Sequence, residues 1–222
     1  MDVVTALKTR KSIRGFLPRP VPRETLEEIL KIACRAPSGA NTQPWEVAVV
    51  GGEKMKELKD AIYQAAKSGV AEMSDFTHGY HGQKEPYLSR QREVGFGLYG
   101  LLGIKREDRQ RREEWGLQGR RFFDAPNALV LYLDKDLGPL TVFDVGLFAQ
   151  SITLTALTFG LGTCILASVA RFPNIIRGML GIPPEKKIVC GIAIGYPDDA
   201  HPANKLESTR APLSEFTKWY GF

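Results

Sequence analysis

The amino-acid sequence predicts an α+β fold in which helices surround a central mixed sheet of about four to five strands. Three observations support this prediction. Amphipathic helical patterns alternate along the chain with short apolar runs of strand length. No internal repeat, low-complexity tract or linker divides the 222 residues, so we expect a single domain over residues 1–222. The composition, 43% hydrophobic and 25% charged, is typical of a globular protein.

Apolar residues spaced at i, i+3 and i+4 define the predicted helices. The predicted helices are a short one around Val3 and Leu7 and then residues 24–35, 54–67, 143–159 and 173–180. Short apolar runs define the predicted strands, which are 45–50, 127–133, 163–166 and 187–194. Residues 69–121 form the least regular part of the chain.

The predicted helix 143–159 is apolar on nearly every face. A helix without a polar face has to be buried all round. In a chain of this size, that places it at the centre of the core or in an obligate subunit interface.

The net charge of +5 favours an anionic partner. A phosphorylated cofactor, a nucleic acid and a membrane surface all fit this preference. No apolar run approaches the roughly 18–20 residues that span a bilayer, and the N-terminus lacks the pattern of a signal peptide. Three widely spaced cysteines in apolar surroundings, Cys34, Cys164 and Cys190, indicate reduced, buried thiols. We therefore expect a cytoplasmic protein that does not bind a membrane.

A glycine pattern at residues 95–100 matches the G-x-G-x-x-G of dinucleotide-binding proteins. That fingerprint has to follow a strand and begin a helix, whereas here a polar helical segment precedes it. A flexible loop or substrate lid is the better interpretation.

A pair of histidines, His78 and His81, lies near Glu72 and Asp75 in the sequence, a spacing compatible with metal binding. No third ligand of a suitable kind is fixed nearby, so we predict no metal site. Because histidine is scarce and no nucleophile–base pattern is found, a cofactor is expected to carry the chemistry.

The basic segment 105–121 holds seven cationic side chains. A solvated helix with ion pairs such as Glu107 with Arg111 explains it better than a nucleic-acid surface, which would need interleaved aromatic platforms. We therefore predict no nucleic-acid partner, although a basic nucleic-acid-binding module remains the non-enzyme alternative.

Two motifs carry most of the functional information. Arg10, Lys11, Ser12 and Arg14 place three cations and a hydroxyl group at the end of the first helix. Guanidinium forks, an ammonium group and a hydroxyl donor are the groups that bind phosphate. A polar loop, residues 36–45, leads directly into the first strand.

Together with the segment 208–213, these motifs resemble the nitroreductase family from about residue 3 to about residue 218. The resemblance implies a nitroreductase-like fold, one FMN-binding domain, and an intertwined homodimer whose chains exchange terminal segments. FMN would lie across the dimer interface. The segments 93–104 and 122–126 look similar to nitroreductases that act on nitrobenzoate-type aromatics.

The resemblance also implies a role for each residue that matches a family motif. Arg10 and Ser12 would hold the FMN phosphate and ribityl chain, with Lys11 adding backbone contacts and charge and Arg210 completing the phosphate clamp. Arg14 would lie beside the pyrimidine side of the flavin, where a cation favours reduction. The other implied contacts are Pro37, Ser38 and Gly39 from the partner subunit, the amides of Asn41 and Gln43, and the segment Ile165, Leu166, Ala167 and Ser168 on one flavin face.

The implied reaction passes a hydride from NAD(P)H through flavin N5 to a nitroaromatic or a related aromatic or quinone acceptor, by a ping-pong mechanism. Many relatives carry Pro and Glu where this chain has Ile165 and Ala167, so a role of that glutamate in positioning nicotinamide is not carried over. Reductive dehalogenation and quinone reduction are the alternatives within flavoenzymes.

Overall fold

The computed structural model describes residues 1–76 and 84–222, and a four-stranded sheet lies at its centre. The strands are β1 (Glu46–Val50), β2 (Asn127–Asp134), β3 (Gly162–Leu166) and β4 (Lys186–Gly195), in the spatial order β1-β2-β4-β3. The four predicted strands are confirmed, with ends that differ from the prediction by at most one residue.

The predicted mixed direction of the sheet is wrong, because all three strand pairings are antiparallel. Among the described residues, the parallel element is an isolated bridge between Ser12 and Thr163. β2 and β4 are buried on both faces, and continuous apolar runs of this kind are more typical of parallel strands. Their pattern therefore does not reveal their direction.

The helices in the described part of the chain are α1 (Val3–Thr9), α2 (Arg23–Ala33), α3 (Gly52–Lys67), α4 (Tyr87–Leu101), α5 (Arg109–Gln118), α6 (Thr141–Thr158), α7 (Pro173–Leu180) and α8 (Leu213–Phe216). All five predicted helices are confirmed. Their ends carry standard signals: the Asp2 carboxylate accepts the Thr5 N–H at 3.0 Å, and Pro173 begins α7. Gly181 ends α7 with a φ of 66°, which favours glycine.

Helices cover both faces of the sheet, because successive side chains of a strand point to opposite sides. Leu129 and Leu131 of β2 pack in one core with α2 and α6. Ala128 and Val130 of the same strand belong to a second core with α3 and α7. The sheet is thus the shared wall of two apolar cores.

Helix α6 is buried on one side only within the chain. Val145, Phe148 and Ile152 lie in the core, whereas Leu140, just before the helix, is 83% exposed and Phe143 is 67% exposed. Among the described helices, α6 alone has the length and apolar composition of a membrane span, a test that core helices also pass. The expected all-round burial is therefore not achieved by a single chain.

The segment expected to be irregular, 69–121, contains α4 and α5. Residues 95–100 lie inside α4, so the prediction of a loop or lid there is wrong. Packing accounts for one of the glycines in this helix. A Cβ at Gly97 would lie 2.8 Å from the Leu206 side chain, so the missing side chain lets Leu206 pack against α4. The glycine pattern does not begin a helix after a strand, which agrees with the rejection of a dinucleotide fingerprint.

Two other sequence predictions also need correction. Arg111 does not pair with Glu107; its guanidinium donates to the carbonyl oxygens of Leu102 and Gly103 and lies 3.7 Å from the Asp108 carboxylate. Cys34 is exposed, whereas Cys164 and Cys190 are buried as predicted. The reason is that Cys34 follows the last residue of α2 and lies off its apolar face.

Glu72 and Asp75 are held by arginines. The Glu72 carboxylate pairs with Arg120, at 2.7 Å, and with Arg171. Asp75 accepts two hydrogen bonds from Arg177, at 2.7 and 3.1 Å. His78 and His81 lie outside the described residues, and within 1–76 and 84–222 no cluster of metal-ligating side chains is found.

Candidate functional site

The basic N-terminal segment lies against the edge strand β3. Ser12 bridges to Thr163, and the Ile13 N–H donates to the Thr163 carbonyl oxygen at 2.9 Å. A Cβ at Gly162 would lie 2.5 Å from Ile13, so the missing side chain of this glycine lets the two segments approach. The backbone that carries the Ser12 hydroxyl and the neighbouring cations, which are predicted to bind phosphate, is therefore held against β3.

Asn204 fixes the next part of this segment from the far end of the chain. Its side chain accepts the Arg14 N–H at 2.6 Å and donates to the Gly15 carbonyl oxygen at 2.8 Å. It also donates to the Asp198 carbonyl oxygen at 2.9 Å, and it is buried. Nothing in the sequence pattern indicates this role, since a single asparagine in a loop is ordinary.

The thiol of Cys164 on β3 is buried. Burial raises its pKa, while the charges of Arg14 and Arg10 and a hydrogen bond with the Ser12 side chain act in the opposite direction. The Ser12 side chain and the two arginines thus lie close enough to Cys164 to oppose the effect of burial on its pKa. Cys164 carries no assigned role in the proposed site.

Four predicted cations at the site lack acidic partners. Arg10, Lys11, Arg14 and Arg210 form no ion pair with a carboxylate in the stretches 1–76 and 84–222. Cations without acidic partners attract an anion, because it neutralises their charge. The donor set fits a phosphate group.

Arg14 borders a cleft of about 430 Å³ with an aromatic wall that includes Trp115, Phe123 and His201. Its guanidinium lies 6.0 Å from the centre of the Phe123 ring, and one Nη donates to the Ser12 carbonyl oxygen at 3.2 Å. Phe123 has a φ of 51°, a left-handed value that a bulky residue rarely adopts. Such strained backbone is frequent at functional sites.

The segment Ile165, Leu166, Ala167 and Ser168 forms the end of β3 and the turn after it. Ile165 is 42% exposed, whereas Leu166 is buried. Ala167 and Ser168 are partly exposed. The segment thus exposes an apolar side chain and the backbone of a turn at the end of β3, the strand that Ser12 bridges. Such a surface is suited to pack against one face of a flat ring.

The loop with Pro37, Ser38 and Gly39 lies elsewhere in the chain, against the beginning of α6. Together with Leu140 and Phe143 it borders an apolar cavity of about 740 Å³. No hydrogen bond or ion pair between this loop and Arg10, Ser12 or Arg14 is found where the chain is described. One chain alone does not bring the two halves of the predicted site together.

Asn41 and Gln43 belong to the same loop and are exposed. The Gln43 side-chain amide donates to the Asn41 carbonyl oxygen at 3.1 Å, so part of its hydrogen-bonding capacity is used within the loop. Gly39 faces outward: a Cβ there would meet only the Asp144 carboxylate, at 3.8 Å. Packing within the chain does not require a glycine at this position.

Arg210 lies in the exposed C-terminal segment. Its guanidinium donates to the hydroxyl and carbonyl oxygens of Ser208, at 2.8 and 3.1 Å. The segment contacts α4 through Thr209 with Glu93 and through Glu215 with Arg90. Arg210 is not joined to Arg10 or Ser12 by any hydrogen bond in the described stretches.

The fold and the site together define a class of α+β protein. A basic segment without acidic partners among the described residues lies against the edge strand β3, and the loop with Pro37, Ser38 and Gly39, here called the loop half-site, lies against the beginning of α6. Comparison with known families agrees with this class. The family model for the nitroreductase family matches residues 7–196. The chain belongs to the nitroreductase family.

Particular relatives narrow the comparison. A 4-nitrobenzoate reductase from Nocardioides sp. (strain LMS-CY) is 36% identical, over 93% of this chain and 85% of the relative. A 4-nitrobenzoate reductase from Pseudomonas putida is 34% identical, over 100% of this chain and 96% of the relative. The crystal structure of FMN and NADPH-dependent nitroreductase NfnB from Sphigopyxis sp. strain HMH superposes with a TM-score of 0.95, at 35% identity and 100% coverage of both chains.

Proposed function

We propose that this protein is an FMN-dependent NAD(P)H oxidoreductase that reduces nitroaromatic compounds. The observation that carries the proposal is the N-terminal basic segment, whose cations lack acidic partners among the described residues and which lies against β3. The chain that holds it is similar over its full length to nitroreductases. The relatives described above include nitrobenzoate reductases and an FMN- and NADPH-dependent enzyme. We further propose that residues 1–222 form one FMN-binding domain.

The proposed FMN site combines the groups that the sequence motifs indicated. Arg10, Ser12 and Arg210 bind the phosphate, and Lys11 adds positive charge. Arg14 holds a guanidinium at the pyrimidine side of the ring. Ile165, Leu166, Ala167 and Ser168 form a wall against one face. The fit rests on the chemistry of the donor set, since cations without acidic partners suit a dianionic phosphate.

The partner subunit supplies the rest of the proposed site. Pro37, Ser38 and Gly39 border a different cavity from Arg14 and make no hydrogen bond to the basic segment of their own chain within residues 1–76 and 84–222. This supports a homodimer in which the loop reaches the cofactor of the other chain. The uncovered face of α6, marked by Phe143, is the surface proposed for the interface. An outward-facing Gly39 suits close approach to a flat ring.

Bound FMN would supply the two-electron redox chemistry of the reaction. The chain's residues would bind the phosphate, orient the ring, exclude water from its open face and hold the Arg14 charge beside it. NAD(P)H and the aromatic acceptor would use that face in turn, so ping-pong kinetics are proposed. Ala167 offers no carboxylate to either substrate.

The basic segment around α5 does not favour the nucleic-acid alternative. Arg120 and Arg121 are bound by Glu72, Asp60 and Asp124, and Arg111 is tied to backbone carbonyls. Cations neutralised in this way are not free to bind phosphates along a strand. We propose a cytoplasmic enzyme without nucleic-acid or membrane partners.

The test of the proposed function begins with the purified protein and FMN. We expect a yellow protein that retains FMN on gel filtration and oxidises NADPH or NADH when 4-nitrobenzoate is supplied. Parallel lines in double-reciprocal plots would support the ping-pong scheme. A protein that takes up no FMN would overturn the proposal, and turnover confined to quinones or halophenols would replace the nitroaromatic acceptor.

A further inference from the structure

Asp144 is a buried acid on the helix beside the loop half-site. It lies in the first turn of α6 and is 8% exposed. Across residues 1–76 and 84–222, it is the only buried aspartate, glutamate, lysine or arginine. No cation pairs with it there. Buried carboxylates without a counter-charge are costly, so their hydrogen bonds carry particular weight.

The contact of this carboxylate is the backbone of the loop. Asp144 Oδ2 accepts the Gly39 N–H at 3.3 Å, across 105 residues of sequence. The same side chain borders the apolar cavity that Pro37, Ser38 and Phe143 also line. Asp144 therefore connects the rigid core helix to the residues proposed to touch the partner's cofactor.

The loop itself needs such a support because its backbone is strained. Ala40, Asn41 and Gln43 have φ values of 49°, 58° and 49°, in the left-handed region that non-glycine residues avoid. Internal bonds hold part of it: Ser38 Oγ accepts the Gln43 N–H at 2.9 Å. Conformations of this kind persist when surrounding contacts determine them.

We propose that Asp144 is a positioning residue of the active site, whose carboxylate holds the Gly39 amide and so fixes the loop that closes over the flavin of the partner subunit. The inference rests on the proposed function, because the loop's purpose is to contact FMN. The carboxylate acts through the loop backbone. Its required property is a hydrogen-bond acceptor at that point, and a negative charge is not needed.

Three variants separate these properties. Asp144→Leu removes the acceptor at similar volume, and Asp144→Asn keeps an acceptor oxygen without the charge. Thr153→Val is the matched control: Thr153 is buried on the same helix, and its hydroxyl bonds only to Gln150 of that helix among the described residues. Each variant is examined by fluorescence titration with FMN, by thermal melting and by hydrogen–deuterium exchange of the flavin-free protein over residues 36–44.

We expect Asp144→Leu to weaken FMN binding about tenfold or more, because the Gly39 N–H loses its acceptor and the loop its support. Amide exchange in residues 36–44 should rise in the same variant. Asp144→Asn should stay within about threefold of the parent, since the acceptor is retained. Thr153→Val should match the parent in both measurements.

Parental FMN affinity and parental exchange in Asp144→Leu would overturn the inference, and so would equal losses in Asp144→Leu, Asp144→Asn and Thr153→Val. If Asp144→Leu does not fold, Asp144→Ala removes the same acceptor without apolar bulk and is judged by the same criteria. If the parent itself binds no FMN, the proposed function fails, whereas the exchange measurement still decides whether Asp144 holds the loop.

Discussion

The site depends, at the scale of single residues, on cations that lack acidic neighbours and on polar side chains that fix the backbone beneath them. The charges of Arg10 and Arg14 both oppose the rise that burial causes in the pKa of the Cys164 thiol. Through three hydrogen bonds, Asn204 holds the backbone of Arg14 and Gly15 beside that of Asp198, which follows β4. The Asn204 amide therefore sets the position of this backbone, and the guanidinium groups are the ones proposed to bind an anion.

Removing one phosphate-binding cation should weaken the cofactor complex. We expect Arg10→Ala or Arg210→Ala to cost about 1.5–3 kcal/mol of FMN binding, or roughly 10–100-fold in Kd. Fluorescence titration with FMN measures it. Arg23→Ala is the control, because Arg23 is an exposed cation on α2 that pairs with Glu27. Unchanged affinity in both site variants would remove the phosphate assignment.

Arg14 is expected to tune the flavin as well as to bind it. A guanidinium at the pyrimidine side favours the negative charge that reduction brings there, so Arg14→Gln should make bound FMN harder to reduce. An effect of about 1–3 kcal/mol corresponds to a fall of about 20–65 mV in the two-electron midpoint potential. A dye-equilibrated titration of the FMN-loaded variant beside the parent measures the shift. An unchanged or higher potential would mean that Arg14 points away from the ring.

At the scale of helices and strands, arginine–carboxylate contacts connect residues 72–75 to distant parts of the chain. Glu72 joins this segment to Arg120, near the end of α5, and to Arg171, just before α7. Burial alone would raise the pKa of Glu72, but the hydrogen bonds from Arg120 and Arg171 outweigh it and hold the pKa below its ordinary value. The ionised carboxylate is the form that stabilises the fold.

The pH dependence of stability follows from the sign of this shift. Because the folded pKa is lowered, the contribution of Glu72 is fully present above the unfolded pKa and is lost as pH falls through the folded value. We expect Glu72→Gln to melt below the parent at pH 7, with the difference shrinking as the solution is acidified below the ordinary value of 4.5. Calorimetry or circular dichroism at several pH values measures it. Glu113→Gln, an exposed acid on α5, should show no such trend.

The whole molecule presents apolar surface that a single chain leaves uncovered. Leu140 and Phe143 are exposed at the beginning of α6, and Phe216, Trp219 and Tyr220 are exposed in the C-terminal segment. Large exposed apolar patches mark interaction surfaces. Together with the loop half-site, they support the proposed obligate homodimer.

We expect the protein to sediment as a dimer at low micromolar concentration and to lose bound FMN when the interface is broken. Phe143→Asp should shift the protein to monomer and release FMN, because a carboxylate buried in an apolar interface is strongly unfavourable. Val70→Asp is the control, since Val70 is an exposed apolar residue away from α6. A flavin-loaded monomer would contradict the prediction.

Much of the fold was predictable because it depends on local spacing. The strands and the five recognised helices follow from apolar periodicity, which a chain expresses within ten or so residues. The glycines of α4 misled the prediction, because the Leu206 side chain that packs against Gly97 comes from a distant segment. The cationic motif after α1 was visible for the same reason as the strands: its members are neighbours in sequence.

The sequence by itself determined the α+β class and the positions of the four strands and five of the helices. It also supplied the hypothesis that Arg10 and Ser12 bind a phosphate group and that Arg14 lies beside the flavin. Only the tertiary structure decided the direction of the strands and the polar contacts that fix the site. Asn204 reaches Arg14 across 190 residues, and Asp144 reaches Gly39 across 105. Local spacing carries no record of such partners, because they become neighbours only when the sheet and helices pack.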